Sequence, residues 1–278
     1  MSWRKGVQSE ELNFSTVDSM AEPDEAVLAL DLMRSLEGIR ELKEKGFQAL
    51  SAKKGEIILD LGCGTGEDVV VFAKKVGQTG KVVGTDCSEV MIRTAQSRQS
   101  DDQLSTEYVV SDAHALKFAD NSFNAVWCDR ILQHVEDPFS AIKEIYRVLI
   151  PGGRAVLMDA DWGTLVIDHP DRSVTRTLVN MFCDAIKNGW MGRQLYRLCQ
   201  EARLNAYTPF TSTVVGTDIK PLLNQVGFGE MARAAFRNGL LAQPVVDEWI
   251  NAVELANEQG GCVFSLTLFG VMAEKPGI

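Results

Sequence analysis

The chain has 278 residues, 45% hydrophobic and 24% charged, which suffices for one substantial α/β domain with insertions or for two small domains. Its formal net charge of -10 and pI near 4.9 argue against nucleic acid or an anionic membrane as the main partner, because both require a basic surface. The sequence shows no membrane-spanning stretch, no signal peptide and no C-x-x-C pair among its six cysteines, so we expect a cytoplasmic protein with reduced thiols.

The first 50 residues are expected to form an N-terminal arm and a helical cap. Residues 1–22 are polar and have no clear period, which predicts a mobile or loosely docked arm. Over residues 23–50, apolar side chains recur at helical spacing. This pattern predicts one long helix, or two helices separated near Gly38 or Gly46.

Residues 51–160 alternate between strand and helix patterns. Apolar runs predict five strands, at residues 57–61, 82–85, 106–110, 123–128 and 154–158. The segments between them predict helices at residues 67–76, 89–98 and 138–149. This alternation predicts a parallel sheet with right-handed crossovers and helices on both faces.

After residue 160 the alternation stops. Residues 161–225 are predicted to contain helices at 172–187 and 192–202 and a short strand at 210–215, followed by a helix at 218–226. We interpret residues 161–225 as an insertion into the sheet domain. We expect it to act as a substrate lid over the edge of the sheet where a ligand binds. Residues 226–278 are predicted to complete the core, with a strand at 231–236, a helix at 245–258 and a last strand at 262–273 that returns like a hairpin.

The segment from Asp60 to Gly66, Asp-Leu-Gly-Cys-Gly-Thr-Gly, is the most informative part of the chain. Its three alternating glycines turn a buried strand into a helix and let the backbone approach a ligand closely, because no Cβ stands in the way. The next apolar run ends at Asp86, where a carboxylate can accept hydrogen bonds from a ribose diol. These features predict a nucleoside-containing cofactor.

The glycine spacing and the local charge restrict the kind of cofactor. Nicotinamide and flavin sites use G-x-G-x-x-G, which seats a pyrophosphate at a helix N-terminus, whereas the spacing here is G-x-G-x-G. Glu67 and Asp68 occupy the first turn of the following helix and would repel a pyrophosphate, and Asp60 adds a further negative charge. An acidic site of this kind fits a cationic cofactor without phosphate.

The chain resembles the class I S-adenosylmethionine-dependent methyltransferases, in the small-molecule branch that includes ubiquinone and menaquinone biosynthesis enzymes. Besides the glycine segment and Gly84-Thr-Asp86, four later segments carry this resemblance: Ser111-Asp112-Ala113, Asp120-Asn-Ser-Phe-Asn-Ala-Val126, Leu132-Gln-His-Val135 and Arg147-Val-Leu-Ile-Pro-Gly-Gly153. The family fold is a mostly parallel Rossmann-like α/β sheet of seven strands whose last strand is antiparallel. The resemblance implies S-adenosylmethionine as cofactor and transfer of its methyl group to an acceptor.

The expected cofactor-binding residues follow the family segments along the chain: Asp60, Gly62, Cys63, Gly64, Gly66, Asp86, Cys87, Met91, Asp112, Ala113, Cys128 and Arg130. Asp112 is expected to accept a hydrogen bond from an exocyclic amine of the purine, and Ala113 leaves room for the ring. Arg130 either pairs with the carboxylate of the cofactor or lies at the surface against Asp129 or Asp137. Met91 either flanks the adenine or is simply a core residue.

Three further residues are candidates for the acceptor side. His134 follows the fourth strand, where an imidazole can act as a general base near neutral pH, although a helix-capping or packing role is the alternative. Trp162 either stacks on a ring substrate or anchors the insertion. His169, next to Pro170, belongs to a turn or lines the substrate pocket.

These residues predict in-line methyl transfer to a small, largely apolar acceptor, on oxygen or carbon rather than nitrogen. The three histidines do not have the spacing of metal ligands. The segment after the fourth strand reads Cys-Asp-Arg-Ile, which differs from the motif that binds planar amides and adenines in N-methylating enzymes. Two alternatives remain open: a nicotinamide oxidoreductase, and a protein of the same fold that binds S-adenosylmethionine without methylating, such as a cyclase or isomerase. We expect no nucleic-acid partner, and the oligomeric state is not predicted.

Overall fold

The computed structural model describes residues 17–19, 23–99 and 104–277. In these residues a central sheet is flanked by helices on both faces. The strands are β1 Ile57–Leu61, β2 Lys81–Asp86, β3 Thr106–Val110, β4 Phe123–Asp129, β5 Leu149–Ala160, β6 Val166–Ile167, β7 Asn205–Ala206, β8 Phe210–Gly216 and β9 Phe264–Glu274. The helices are α1 Pro23–Ser35, α2 Glu37–Leu50, α3 Glu67–Val76, α4 Glu89–Arg98, α5 Pro138–Val148, α6 Arg172–Ala185, α7 Met191–Glu201, α8 Phe228–Arg237 and α9 Gln243–Glu258.

The strand order confirms the expected Rossmann-like fold. Strands β3, β2, β1, β4 and β5 lie side by side and are parallel. Strand β9 is antiparallel to β5 along one edge and to β8 along the other, so β8 runs parallel to β5. The two-residue strands β6 and β7 extend this pairing along β9, which explains why the sheet counts more strands than the seven expected.

The strands are apolar on both faces because helices cover both. Alternate residues of a strand point to opposite faces, so neighbours in sequence enter different cores. Ile58 and Trp127 pack on the face covered by α2 and α3. Leu59 and Val126 pack on the face covered by α5 and α7.

The N-terminal cap consists of two helices, which was one of the two predicted possibilities. The break falls at Leu36, between α1 and α2, next to the predicted position Gly38. Most of the predicted arm, residues 1–22, lies outside the described residues. Within residues 17–19, the expectation of loose docking is wrong: Val17 is buried, and the Asp18 carboxylate accepts hydrogen bonds from the backbone N–H groups of Glu89 (2.8 Å) and Val90 (3.2 Å) at the start of α4.

The strand predicted at residues 231–236 is wrong, because this segment belongs to helix α8. Its buried residues Phe228, Met231, Ala232 and Ala235 recur at helical spacing, and its alanines favour a helix. The helix predicted at residues 218–226 is shorter than expected and of a different type, a five-residue π-helix, Pro221–Gln225.

The structure divides the C-terminal half differently from the predicted insertion. Residues 210–216, expected within the lid, form β8 of the central sheet, and α7 packs on β5 and β9. Helices α6, α8 and α9 pack on one another and are called the lid helices below. Helix α6 follows β6, α8 follows β8 and α9 precedes β9. All three therefore lie near the N-terminal end of β9, at the edge of the sheet where the parallel strands end. None of the described helices is long and apolar enough to cross a membrane.

Candidate functional site

The glycine turn after β1 has the geometry that its sequence predicts. Gly62, Gly64 and Gly66 have φ angles of 74°, 52° and 85°, a region that residues with a Cβ rarely occupy. The backbone N–H groups of Gly62 and Cys63 both donate to the carbonyl of Thr85, at 2.7 and 2.8 Å. A Cβ at Gly62 would lie 2.1 Å from Ile131 Cδ1, so the turn fits between β2 and the segment after β4 only as glycine.

Asp86 lies against this turn, as the parallel arrangement of β1 and β2 requires. Its Oδ2 accepts a hydrogen bond from the N–H of Gly64 and its Oδ1 from the N–H of Ser88, both at 3.0 Å. Burial raises the pKa of the Asp86 carboxyl above its ordinary value. Each carboxylate oxygen has a second acceptor position, so Asp86 retains capacity for two further donors.

Three buried side-chain oxygens near the ends of β1 and β3 have no hydrogen-bond partner among the described residues: Asp60 Oδ2, Tyr108 Oη and Ser111 Oγ. Such groups are unfavourable unless water or a ligand satisfies them. Burial, followed by the charge of Asp68, raises the pKa of Asp60 well above its ordinary value. Acceptor groups beside a glycine turn suit a ligand that carries hydrogen-bond donors and positive charge.

A network of ion pairs surrounds Asp60. Lys43 of α2 places its Nζ 2.5 Å from Asp68 Oδ2 and 3.4 Å from Asp129 Oδ2. Arg130 forms a two-point ion pair with Asp129, at 3.1 and 2.9 Å. Although burial opposes it, the charges of Arg130 and Lys43 lower the pKa of Asp129 to about 2. Lys43 was not predicted, because it belongs to no motif and reaches the site from a helix distant in the sequence.

The predicted cofactor residues divide into two groups in the structure. Asp60, the three glycines, Asp86 and Arg130 surround the carboxyl ends of β1, β2 and β4. The side chains of Cys63, Met91, Ala113 and Cys128 are buried in hydrophobic clusters, so they offer a ligand mainly their backbone. Cys87 is exposed. Asp112 is also exposed, and it accepts hydrogen bonds from the backbone N–H of His114 (2.9 Å) and from its ring Nδ1 (2.7 Å).

Helix α1 passes over the glycine turn. A Cβ at Gly64 would lie 3.4 Å from Leu30 Cδ1 of α1. Four charged residues join α1 to α3 and α4. Arg98 of α4 lies 2.9 Å from Asp31 and 2.8 Å from Glu67, and Arg34 of α1 pairs with Glu67 as well. The N-terminal cap therefore covers the predicted cofactor-binding residues.

Residues 130–136, called the β4 loop below, are held from several sides. The backbone N–H of Gln133 donates to Asp159 Oδ2 at 3.0 Å, and its side-chain Oε1 accepts from the indole N–H of Trp162 at 2.7 Å. Burial raises the pKa of Asp159 to about 8. Neither Gln133 nor Asp159 was predicted, although an acid in the otherwise apolar end of β5 was a signal that could have identified Asp159.

His134 lies in the β4 loop and is half-buried. Burial, together with the nearby charges of Arg130 and Lys187, lowers its pKa to about 4. The imidazole is therefore neutral at pH 7. A neutral imidazole has one nitrogen that accepts a hydrogen bond and one that donates.

Trp162 and His169 both contact the lid helices. The ring of Trp162 packs edge-on against Phe182 of α6, with centroids 5.2 Å apart, so it anchors the segment after β5. His169 lies in the turn before α6, where its Nδ1 accepts a hydrogen bond from the N–H of Asp171 at 2.9 Å. Its ring stacks on Trp249 of α9 at 5.1 Å.

Comparison with known proteins gives curated relatives that are named methyltransferases. The profile of a family described as "Methyltransferase domain" matches residues 59–157. The chain is 31% identical over 205 residues to the 2-phytyl-1,4-beta-naphthoquinone methyltransferase of Arabidopsis thaliana, covering 70% of this chain and 72% of that protein. It is 36% identical over 125 residues to a ubiquinone/menaquinone biosynthesis C-methyltransferase of Hydrogenovibrio crunogenus, covering 44% of this chain but only 49% of that protein.

Two solved structures share the fold. A putative methyltransferase from Bacillus halodurans aligns with a TM-score of 0.61 and 20% identity, covering 84% of this chain and 98% of that one. The [4+2]-cyclase SpnF aligns with a TM-score of 0.53 and 22% identity, covering 86% and 81%. At these identities the likeness concerns the fold alone.

Proposed function

Because the chain belongs to the S-adenosylmethionine-dependent methyltransferases of the ubiquinone and menaquinone biosynthesis type, we propose that it methylates a small, largely apolar ring compound of the quinol class. The observation that carries this acceptor class is the similarity to the naphthoquinone methyltransferase over 72% of its length. The second relative is named a C-methyltransferase, which favours carbon over oxygen as the methylated atom. Family membership also favours a methyltransferase over a nicotinamide oxidoreductase.

S-adenosylmethionine is the cofactor of this family, and when bound it supplies a methyl group on a positively charged sulfur. We propose that Asp86 accepts hydrogen bonds from the ribose hydroxyls and that the glycine turn lets the backbone approach the ligand. Positive charge on the bound cofactor would stabilise the ionised form of Asp60, whose pKa is raised mainly by burial. Asp112, exposed at the end of β3, is proposed to accept from the adenine amine.

On the acceptor side, the protein has to hold a ring carbon or oxygen in line with the methyl group and exclude water. We propose that α1 and the lid helices provide this enclosure and that His134 faces the acceptor. With a pKa of about 4 the imidazole is a weak base, so it serves mainly by accepting a hydrogen bond from the acceptor hydroxyl. That hydrogen bond increases the electron density of the ring carbon that attacks, and the proton that the ring releases after methylation passes through the neutral imidazole of His134 to solvent.

The test uses purified protein, methyl-labelled S-adenosylmethionine and a panel of reduced naphthoquinols and benzoquinols. We expect label in the organic extract with at least one quinol, and its position on carbon or oxygen identifies the methylated atom. A matched reaction with the Asp86→Ala variant controls for transfer that does not depend on the site. Tight cofactor binding without transfer to any quinol would contradict the acceptor class and favour a non-methylating protein of the same fold.

A further inference from the structure

Gln133 lies in the β4 loop, yet it is buried and its polar groups are hydrogen-bonded. It directly precedes His134, and only 6% of it is exposed. Its backbone N–H donates to Asp159, its carbonyl accepts from the N–H of Asn188 at 3.1 Å, and its side-chain Oε1 accepts from Trp162. Its Nε2 lies 3.4 Å from the carbonyl of Arg130. Both the backbone and the side chain of this residue are thus bound to other parts of the chain.

The backbone of the β4 loop has two further anchors besides the Gln133 side chain. Asp159 is fully buried at the end of β5, a central strand, and holds one side of the loop. Asn188 holds the other side, since its Nδ2 donates to the carbonyls of Leu132 (3.0 Å) and Val135 (2.7 Å). The side-chain contact to Trp162 adds a third connection, to the segment after β5, where the backbone N–H of Trp162 also donates to the carbonyl of Gly189 at 2.8 Å.

That connection leads into the lid helices through a row of aromatic rings. Trp162 packs on Phe182 of α6, which lies 5.1 Å from Phe228 of α8 between ring centroids. Phe228 in turn lies 5.8 Å from Trp249 of α9. Each lid helix contributes one ring. Densely packed rings of this kind transmit displacement, because the surrounding core cannot deform continuously.

We propose that Gln133 is a positioning residue and that its hydrogen bond from Trp162 couples the packing of the lid helices to the placement of His134. A movement of the lid helices that displaces Trp162 leaves the buried Oε1 of Gln133 without its donor, which is unfavourable. The β4 loop and the lid helices consequently adopt the arrangement seen in this structure together. The catalytic part of this inference rests on the proposed function, in which the acceptor meets His134.

Two substitutions break the hydrogen bond from opposite ends. Trp162→Phe removes the indole N–H and retains a ring against Phe182, whereas Gln133→Met removes the acceptor and keeps the side-chain length. We expect each variant to lower kcat about tenfold with the quinol acceptor while the Kd for S-adenosylmethionine stays unchanged. Because both act on one contact, the double variant should be no slower than either single variant. Gln133→Glu keeps an acceptor oxygen, and when assayed at about pH 5, where a buried carboxyl is protonated and keeps a donor for the carbonyl of Arg130, it should restore most of the rate.

The matched control is Trp190→Phe, the same chemical change at a tryptophan that is 51% exposed. We expect this control to leave kcat unchanged. The proposal would be overturned if the loss of kcat in the double variant equalled the product of the two single losses. It would also be overturned if kcat of Gln133→Glu were as low as that of Gln133→Met.

A second measurement needs no acceptor, so it separates failure of this inference from failure of the proposed function. The chain contains three histidines, and ring NMR signals of His134 are assigned by their loss in His134→Asn. Trp162→Phe and Gln133→Met should both shift the His134 signals and move its pKa up towards the ordinary value. Unchanged His134 signals in both variants would overturn the coupling, whatever the acceptor proves to be.

Discussion

At the scale of single residues, the site consists of carboxylates whose surroundings differ. Asp86 accepts two backbone hydrogen bonds, Asp129 is paired with two cations, and Asp60 Oδ2 has no partner among the side chains described. The pKa values of Asp129 and Asp60 are shifted in opposite directions for these reasons. Substitutions at these positions should therefore have separable effects on cofactor binding and on stability.

Replacement of Asp86 tests the ribose assignment. Asp86→Ala should weaken S-adenosylmethionine binding by about a hundredfold or more, because two charge-assisted hydrogen bonds are lost. Asp86→Asn keeps one acceptor oxygen, so its affinity for S-adenosylmethionine should lie between that of Asp86→Ala and that of the natural protein. Calorimetric titration gives the affinities, and circular dichroism checks that the variants fold. Unchanged affinity in a folded Asp86→Ala protein would show that another residue binds the ribose.

The raised pKa of Asp159 predicts a specific dependence of stability on pH. Its folded value of about 8 lies above the ordinary value of the unfolded chain. This carboxyl therefore favours the folded state most at low pH, and its contribution declines as the pH rises from about 4 to about 8.

Asp159→Asn abolishes this titration and keeps an oxygen that can accept from Gln133. The free energy of unfolding of the variant, relative to the natural protein, should therefore increase from pH 5 to pH 8 by an amount on the order of 1 kcal/mol or more. Urea unfolding at both pH values measures the difference. The same difference at pH 5 and pH 8 would contradict the assignment.

The residues that sequence reasoning identified share one property. The glycines and Asp86 lie in strand-turn-helix segments, where local spacing determines the geometry. Lys43, Gln133 and Asp159 were missed because their roles depend on contacts between segments distant in the sequence: Lys43 pairs with Asp68, 25 residues away, and Trp162 is 29 residues from Gln133. No local pattern encodes such contacts, although the acid in the apolar end of β5 marks Asp159 as unusual.

At the scale of elements, the lid helices depend on aromatic packing. Phe228 is 1% exposed and contacts a ring from each of the other two lid helices. Phe228→Ala should reduce the free energy of unfolding by about 3–5 kcal/mol, through lost burial and the cavity that remains.

Phe236→Ala, on the same helix at a position 46% exposed, is the matched control. It should change the stability by less than about 0.5 kcal/mol. Chemical denaturation followed by tryptophan fluorescence measures both variants. Equal losses would mean that α8 is not packed as the structure describes.

The same helix shows why an element was predicted incorrectly. Residues 231–236 read Met-Ala-Arg-Ala-Ala-Phe, a span of six residues that is too short to show a helical period by itself. The helical period becomes clear only when Phe228 is included. The parallel strands β1 to β4 were predicted correctly because each is a short apolar run bounded by turn residues, whereas β5 extends well beyond the predicted residues 154–158, from Leu149 to Ala160. Residues 210–215 were correctly predicted as a strand, but their place in the central sheet depends on pairing with β9, over 50 residues later.

At the scale of the whole molecule, α1 covers the glycine turn and is joined to α3 and α4 by ion pairs. Arg98→Gln removes the contacts to Asp31 and Glu67. We expect S-adenosylmethionine to dissociate a few times faster from this variant at low salt. Because the pairs are partly exposed, the difference should largely disappear at about 1 M salt.

Stopped-flow fluorescence of cofactor release gives these rates. The control is Arg93→Gln, also on α4, which changes an exposed arginine whose described ion pair is to Glu89 of the same helix. This variant should release the cofactor at the rate of the natural protein. Equal acceleration in both variants would mean that the loss of positive charge, not the ion pairs of α1, affects release.

The position of β9 has a consequence for synthesis of the protein on the ribosome. Among the described residues, β6, β7 and β8 pair with β9, which follows all of them in the chain. The parallel strands β1 to β5 can associate early during translation, while these three strands have no partner until residues 264–274 leave the exit tunnel. Nascent chains stalled before that point should expose unpaired strand edges, which are the sites that chaperones must protect from aggregation.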